Sequence, residues 1–385
     1  MANTFNLGNG NWAQKTEKLL AYNAENNNYK PLPFDFDRAS TATRVNKQGL
    51  IETVATDEPR IDFLNNTKGH LLLEPQRTNL VTYSEDFSQW ALGSVTITPN
   101  SAISPDGTQN ASLFSHSGGS FPQIALQNIT FVSSADYAPS LYVKSDGTTQ
   151  VQHSLIVNGQ VVNFTPTNEW VRVSDLIVSP DTSGSFVIAQ NSGSAVSASF
   201  YIWGAQLEEG SYATSYIPTS GQSGGVTRSA ETCNNAGNST VFNDSEGVLY
   251  VEALLKDTGT FKTVARITAT DTSTSDGLWI YFRSDNKIQS VLRVGGVDQT
   301  SILSNTQTTN EYYKVAFKYK QNDFALWVNG TEVAPDTSGN TFSADTLSKL
   351  GFILSTDINP FIGNVKDVRV YNTALTDAEL IALTS

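Results

Sequence analysis

Apolar and polar residues alternate with a period of two along most of this chain, the mark of half-buried β-strands. In Phe34-Asp35-Phe36-Asp37 the rings fall on one face of an extended segment and the carboxylates on the other. Leu249, Val251, Ala253 and Leu255 share one face of a strand. Tyr313, Val315, Phe317 and Tyr319 share a face of another, with Lys314, Lys318 and Lys320 opposite. Shorter runs at Leu141-Tyr142-Val143, Phe186-Val187-Ile188 and Val365 to Tyr371 predict further strands. Asn158-Gly159 and Asn329-Gly330 sit at strand ends, where the positive φ open to both residues predicts tight hairpin turns. A helical pattern appears twice. Trp12 to Ala24 predicts a short helix carrying Trp12, Leu19 and Leu20, stopped by Asn26-Asn27-Asn28 and then by Pro31 and Pro33. Thr376 and Glu379 form a capping box that opens a helix from Asp377 to Leu383, with Leu375 and Leu380 as its staple.

The pattern predicts an all-β protein: two tandem β-sandwich (jelly-roll) domains, an extended N-terminal arm and one short C-terminal helix. Residues 1–33 read as an N-terminal extension, 34–80 as a run of short strands and 81–218 as the first sandwich. Residues 219–225, rich in Gly and Ser, read as a linker, and 226–385 as the second sandwich. The extension has too few apolar groups for its own core, so Trp12, Leu19 and Leu20 are expected to cover another surface. Attachment to a larger particle is one such surface, and the chain's own domains are the other.

Composition removes several functions. Acidic residues outnumber basic ones by 37 to 24 among 385, a net charge of −13 that disfavours nucleic acid. The single cysteine, Cys233, excludes an intrachain disulfide and a thiolate metal cluster. Met1 to Lys18 has no signal-peptide pattern and no apolar run is long enough for membrane insertion, so the chain is expected to fold in a cytosol. One pattern suggests ligand binding. Leu278, Ile280 and Phe282 take one face of a strand, leaving Trp279, Tyr281 and Arg283 as an aromatic and cationic strip. Such a strip can stack on the C–H faces of sugars, or pack on a neighbouring domain or subunit.

Several ordered motifs resemble a leader common in bacteriophage structural proteins. They are Phe36-Asp37-Arg38-Ala39-Ser40-Thr41-Ala42-Thr43-Arg44-Val45-Asn46, Pro59-Arg60-Ile61-Asp62-Phe63 and Leu72-Leu73-Glu74-Pro75-Gln76-Arg77-Thr78-Asn79-Leu80. Tyr83 to Trp90, Tyr201 to Gly210 and Ala213 to Thr219 complete the set. The resemblance implies a virion fibre or spike with a jelly-roll like that of carbohydrate-binding modules. Trp327-Val328-Asn329-Gly330, Phe361 to Tyr371 and Ala374 to Leu380 resemble the concanavalin-A-like, laminin-G-like sandwiches.

These resemblances imply a structural virion protein on head or tail, made in the host cytoplasm. They further imply a homo-oligomer, commonly a trimer, contacting other virion proteins through the N-terminal extension and host surface polysaccharide through its sandwiches. A tailspike-like depolymerase and a free lectin are the alternatives. Glycosidases of this class carry two acidic residues on one face, because one protonates the leaving oxygen while the other attacks or activates water. Glu252 with Asp257, and Glu208 with Glu209, have odd separations that put them on opposite faces. Asp35 and Asp37 share a face but have Arg38 and Arg44 as expected partners. His70, His116 and His153 are isolated and read as turn or surface residues. No enzyme and no cofactor are therefore expected. Calcium is the one metal the laminin-G resemblance keeps open, with Asp271, Asp276, Asp285 and Asp357 as loop candidates.

Overall fold

The computed structural model describes residues 5–23, 27, 33–148, 150–190, 195–256, 261–270, 273–353 and 360–385. The Asn-rich stop at 26 and 28, Pro31, Asp257, Asp271 and Asp357 lie outside the described residues. Within them the regular structure is antiparallel sheet plus the helix Asp377–Thr384 and one 3₁₀ turn, as the alternation predicts. The chain divides into two compact units that are interleaved rather than tandem. The first comprises Met1–Thr41, Val54–Pro75 and Ala230–Ser385, and the second Ala42–Thr53 and Gln76–Ser229.

The first unit is a sandwich. Its larger sheet runs Thr331–Asp336, Phe324–Val328, Glu311–Lys320, Glu246–Leu255, Gly363–Tyr371, His70–Leu73, Ile61–Asp62, and Phe5–Gly8 also pairs with Gly363–Tyr371. The smaller runs Val297–Thr306, Lys287–Val294, Gly277–Phe282, Lys262–Thr268, Lys349–Gly351. Leu249, Val251, Ala253 and Leu255 meet Leu278, Ile280 and Phe282 in one buried core, with Tyr313, Val315, Phe317 and Tyr319 beside them. The terminal helix closes part of the larger sheet's outer face, where Leu375 and Leu380 pack on Val248, Tyr250, Ala316 and Trp327. Its capping box is formed, with the Thr376 amide donating to Glu379 Oε2 at 2.8 Å.

The N-terminal region differs from its prediction. No helix forms at Trp12 to Ala24 within the described residues. Ala13–Lys15 and Lys18–Leu20 make a hairpin that extends through Phe34–Asp37 to Thr232–Asn234. The tight turn puts Glu17 at φ +61°, a conformation that no Gly or Asn announces in the sequence. Phe5, Leu7, Leu19 and Ala21 are all buried in the first unit's core, so the segment is part of that core. Residues 34–75 likewise belong with residues beyond 230 rather than standing as a separate leader.

The second unit is a jelly-roll-like sandwich of two sheets. One runs Ala91–Gly93, Gln123–Thr130, Ser183–Ala189, His153–Val157, Gln160–Phe164. The other runs Thr96–Ala102, Ala111–Gly119, Ala195–Glu209, Asp136–Ser145, Val171–Ser174, and Ile177–Val178 also pairs with Asp136–Ser145. Both Asn-Gly turns have the required geometry, with φ +46° and +80° at Asn158 and Gly159 and +46° and +79° at Asn329 and Gly330. Residues 219–225 are no free linker. Thr219 is buried, Gly221 donates to the Thr82 carbonyl at 2.6 Å, and Val226–Arg228 pairs with Arg77–Asn79.

Candidate binding faces

The motif residues of the first unit converge on one buried carboxylate. Glu231 Oε1 accepts from Arg38 Nη1 at 2.8 Å and from Arg60 Nε at 2.7 Å, while Oε2 takes Arg60 Nη2 and the Glu74 amide. Arg60 also reaches Glu74 at 2.9 Å, and Arg38 donates onward to the Ser40, Ala55 and Glu58 carbonyls. Burial opposes the Arg60 charge, and Glu231 and Glu74 outweigh it to raise its pKa. Arg38 pairs with Glu231 and Arg44 with Glu52, so neither ion-pairs with Asp35 or Asp37 as the sequence suggested. Asp35 instead faces Lys18.

A second knot organises the motifs of the other unit. Asn79 is fully buried: its Nδ2 donates to the Ala205 and Ile217 carbonyls at 3.2 and 2.8 Å, and its Oδ1 accepts from the Val81 and Leu207 amides at 3.0 and 3.1 Å. Glu208 caps the Thr214 amide at 2.8 Å, and Gln206 holds the Ile217 amide at 2.6 Å. The Tyr216 hydroxyl lies 2.7 Å from Ser84 Oγ and 2.8 Å from Glu85. Trp203 packs on Tyr216 and Trp170 against the same cluster.

The histidines are buried, contrary to expectation. In the second unit the Gly118 amide donates to His116 Nδ1, so in the neutral ring the proton sits on Nε2. That atom faces His153 Nε2 at 3.3 Å, and His153 Nδ1 donates to the Val151 carbonyl at 3.0 Å. Phe114, Phe164 and Phe200 surround the pair. Burial, reinforced by His116, lowers the His153 pKa from 6.5 to about 4. The unfolded chain therefore binds more protons between those values, and stability is retained above pH 6.5 and lost as pH falls toward 4. The expected loss is about 3 kcal/mol. Urea denaturation followed from pH 7 to 4.5 should show this slope in the second unit, and a double His116→Phe, His153→Phe variant should reduce it, leaving the part that belongs to His70, which burial also lowers to about 4.

The Trp279 strip has the predicted face but not the predicted openness. Trp279 is 1% and Tyr281 8% exposed, while Arg283 is half-buried. Tyr281 packs on Phe261 with ring centroids 4.6 Å apart, and the Arg283 and Arg293 guanidiniums lie 5.8 Å over Phe261 and Trp279. Arg283 also bonds Asp285 and Gln289. The strip is closed by packing, so a sugar ring cannot stack on Trp279 in this arrangement. Trp12 is half-buried with its indole N–H on the Lys68 carbonyl at 2.8 Å, Leu19 is in the core and Leu20 is half-buried. These three do not form an exposed attachment surface. Of the calcium candidates, Asp276 accepts from the Gly295 amide and Asp285 pairs with Arg283. Among the described residues no group of three or more His, Cys, Asp or Glu gathers as metal ligands.

The outer face of the larger sheet, beside the terminal helix, carries an arrangement that same-strand spacing cannot reveal. Asn6, Arg369 and Tyr250 lie side by side on three paired strands, and Gly8, Asp367 and Glu252 form the next row. Lys314 extends that second row. Asp367 bonds Arg369 at 2.5 Å, Glu252 lies 3.6 Å from Lys366, and Lys366 sits 3.4 Å over the Tyr312 ring. Burial, with Glu252 adding to it against the pull of Arg369, raises the Asp367 pKa. The sequence signal was Asp367-Val368-Arg369-Val370, whose polar members mark one strand face.

No curated protein matches this chain. Among solved structures it is similar to the CBM40 of the Ruminococcus gnavus IT-sialidase bound to α2,3-sialyllactose, at 18% identity over 40% of this chain and 94% of that one, TM-score 0.34. It is also similar to Domain 4 of AbnA, a GH43 extracellular arabinanase from Geobacillus stearothermophilus in complex with arabinotriose, at 15% identity over 40% and 73%, TM-score 0.32. Residues 254–381, a part of the first unit, match the family model described as the concanavalin A-like lectin/glucanases superfamily.

Proposed function

We propose that this chain is a non-catalytic structural component of a bacteriophage particle, a head or tail fibre or spike, that presents its sandwiches to host surface glycans. It assembles as a homotrimer and is made in the host cytoplasm. The observation that supports this reading is the fate of the phage-type motifs. Arg38, Arg60 and Glu74 in one unit, gathered around Glu231, and Asn79, Gln206 and Glu208 in the other, turn inward and join distant segments. They build a scaffold in which the Glu74, Glu208 and Glu231 carboxylates are buried and bonded. Mass spectrometry of purified particles tests the assignment: the chain is expected in intact virions, and its absence would overturn the reading. A glycan array with the purified chain tests the second half, with binding to host-surface oligosaccharides expected.

A depolymerase is the second reading, favoured by one observation. Glu252 and Asp367 lie directly opposite on adjacent strands. Retaining glycosidases hold their two carboxyl groups about 5 Å apart. Here Asp367 is only 2% exposed and salt-bridged to Arg369, so it cannot protonate a glycosidic oxygen without leaving its partner. No release of reducing ends from capsule or lipopolysaccharide is expected, and steady release would reverse the conclusion.

A further inference from the structure

We propose that copies of this chain meet through the charge-free five-stranded sheet of the second unit, at the margin formed by Ile156, Val161 and Asn163. This rests on the homotrimer reading above and gives that assembly a place.

The composition of the sheet sets it apart. Its strands Ala91–Gly93, Gln123–Thr130, Ser183–Ala189, His153–Val157 and Gln160–Phe164, of 3, 8, 7, 5 and 5 residues, contain no Asp, Glu, Lys or Arg. At the 16% charged residues of the whole chain, about four would be expected there. The facing sheet of the same unit carries Asp136, Lys144, Arg172, Glu208 and Glu209. The outward positions of the charge-free sheet line up. Ala91, Ala125, Val187, Ile156 and Val161 form one row across all five strands, and Gly93, Gln123, Ala189, Ser154 and Asn163 form the next. The middle is closed, because Phe121 and Ile156 pack on Ala125, Val187 and Ala189. The Gln160–Phe164 end is open: Val161 is 46% exposed, Gln160 and Asn163 are exposed, and Ile156 is half-buried.

A strand edge left open pairs with other chains unless something blunts it. The other edges of the two sheets are blunted. Thr96–Ala102 carries Pro99 and a register shift, and Val171–Ser174 carries Arg172. Ala91–Gly93 and Ile177–Val178 have only three and two residues. Gln160–Phe164 has neither a charge nor a proline, and it pairs with His153–Val157 in unbroken register. Among the described residues no strand lies along its far side.

Charge identifies the occupant. The chain has a net charge of −13, so two copies repel wherever their carboxylates approach. On this margin neither copy brings a charge, and Val161 beside Ile156 offers apolar area to bury. A basic peptide or an acidic polymer finds no opposite sign in these strands to hold it. A second copy supplies the same neutral margin in return, with Gln160 and Asn163 able both to donate and to accept.

The test is sedimentation velocity of the full chain across the micromolar range, where assembly into trimers is expected. Val161→Glu and Asn163→Asp each place a like charge on this margin of every copy. Each should weaken association at least about tenfold, with an unchanged circular-dichroism spectrum. Val196→Glu, at a position 54% exposed on the facing sheet, should leave association unchanged. Undiminished association in Val161→Glu and Asn163→Asp would move the interface elsewhere and leave the trimer reading in force. Equal weakening by Val196→Glu would reduce the effect to general repulsion and overturn the proposal. A dimer that is lost in Val161→Glu would support this margin and overturn the number three. A monomer throughout would overturn both the second copy as occupant and the trimer reading itself.

Discussion

Glu231→Ala is expected to destabilise the first unit by about 3–5 kcal/mol, the cost of removing one partner from a buried ion network. Arg38 and Arg60 would keep their charges, being fully buried with no route to neutral forms at any accessible pH. Arg60 would keep its contact with Glu74, and Arg38 its contacts with the Ser40 and Glu58 carbonyls, neither of which replaces the Glu231 carboxylate. The Glu74 amide would lose its acceptor as well. Because a chain of two units need not unfold in one step, the change should be read by hydrogen exchange along Phe34–Asp37 and Thr232–Asn234 beside denaturant melting. Loss of protection in those strands, with the second unit unaffected, is the expected pattern. Glu332→Ala, at an exposed position of the same unit, should change stability by no more than about 0.5 kcal/mol. Equal effects from the two variants would show that Glu231 is not the keystone its geometry implies.

Asn79→Ala is expected to cost the second unit about 2–4 kcal/mol, because two amides and two carbonyls lose their partner together in a dry interior. Asn79→Asp gives a sharper result. A carboxylate can accept from the Val81 and Leu207 amides but cannot donate to the Ala205 and Ile217 carbonyls. The aspartic acid should therefore stay protonated in the folded state, with its pKa raised. Its contribution is then present below an ordinary Asp value of about 3.9 and lost as pH rises through the raised folded value. This variant should melt nearer to the parent protein at pH 4 than at pH 7. A melting temperature independent of pH would contradict the hydrogen-bond assignment.

The sequence revealed strands far better than it revealed which segments belong together. Leu249 to Leu255 and Tyr313 to Tyr319 alternate so regularly that their core faces were evident, and both Asn-Gly turns declared their own geometry. The capping box at Thr376 was equally plain, because all of its residues are local. Lys15 to Leu20 is a run too short to separate a period of two from one of 3.6, and its turn lacks a marker residue. The domain assignment failed for a different reason. Phe34–Asp37 pairs with Thr232–Asn234, almost 200 residues away, and no local pattern records such a partner. At Trp279 the alternation gave the right face, while closure of that face depends on Phe261, just before one neighbouring strand, and on Arg293 in another. The Glu252–Asp367 row is invisible in spacing along any one strand, because a sheet also brings carboxylates together across strands.

The interleaving of the two units has a consequence for synthesis. Arg38 and Arg60 precede Glu231 by 193 and 171 residues. At roughly 5–20 residues per second, each arginine leaves the ribosome on the order of 10–40 s before its carboxylate exists. The second unit, encoded between them almost without interruption, has that interval in which to fold. The first unit's early strands have none of their later partners until translation passes residue 230. A nascent chain stalled before that point would carry a finished sandwich beside early strands that still lack their later partners, so translation speed through the middle of the message sets how long those strand edges are exposed to aggregation.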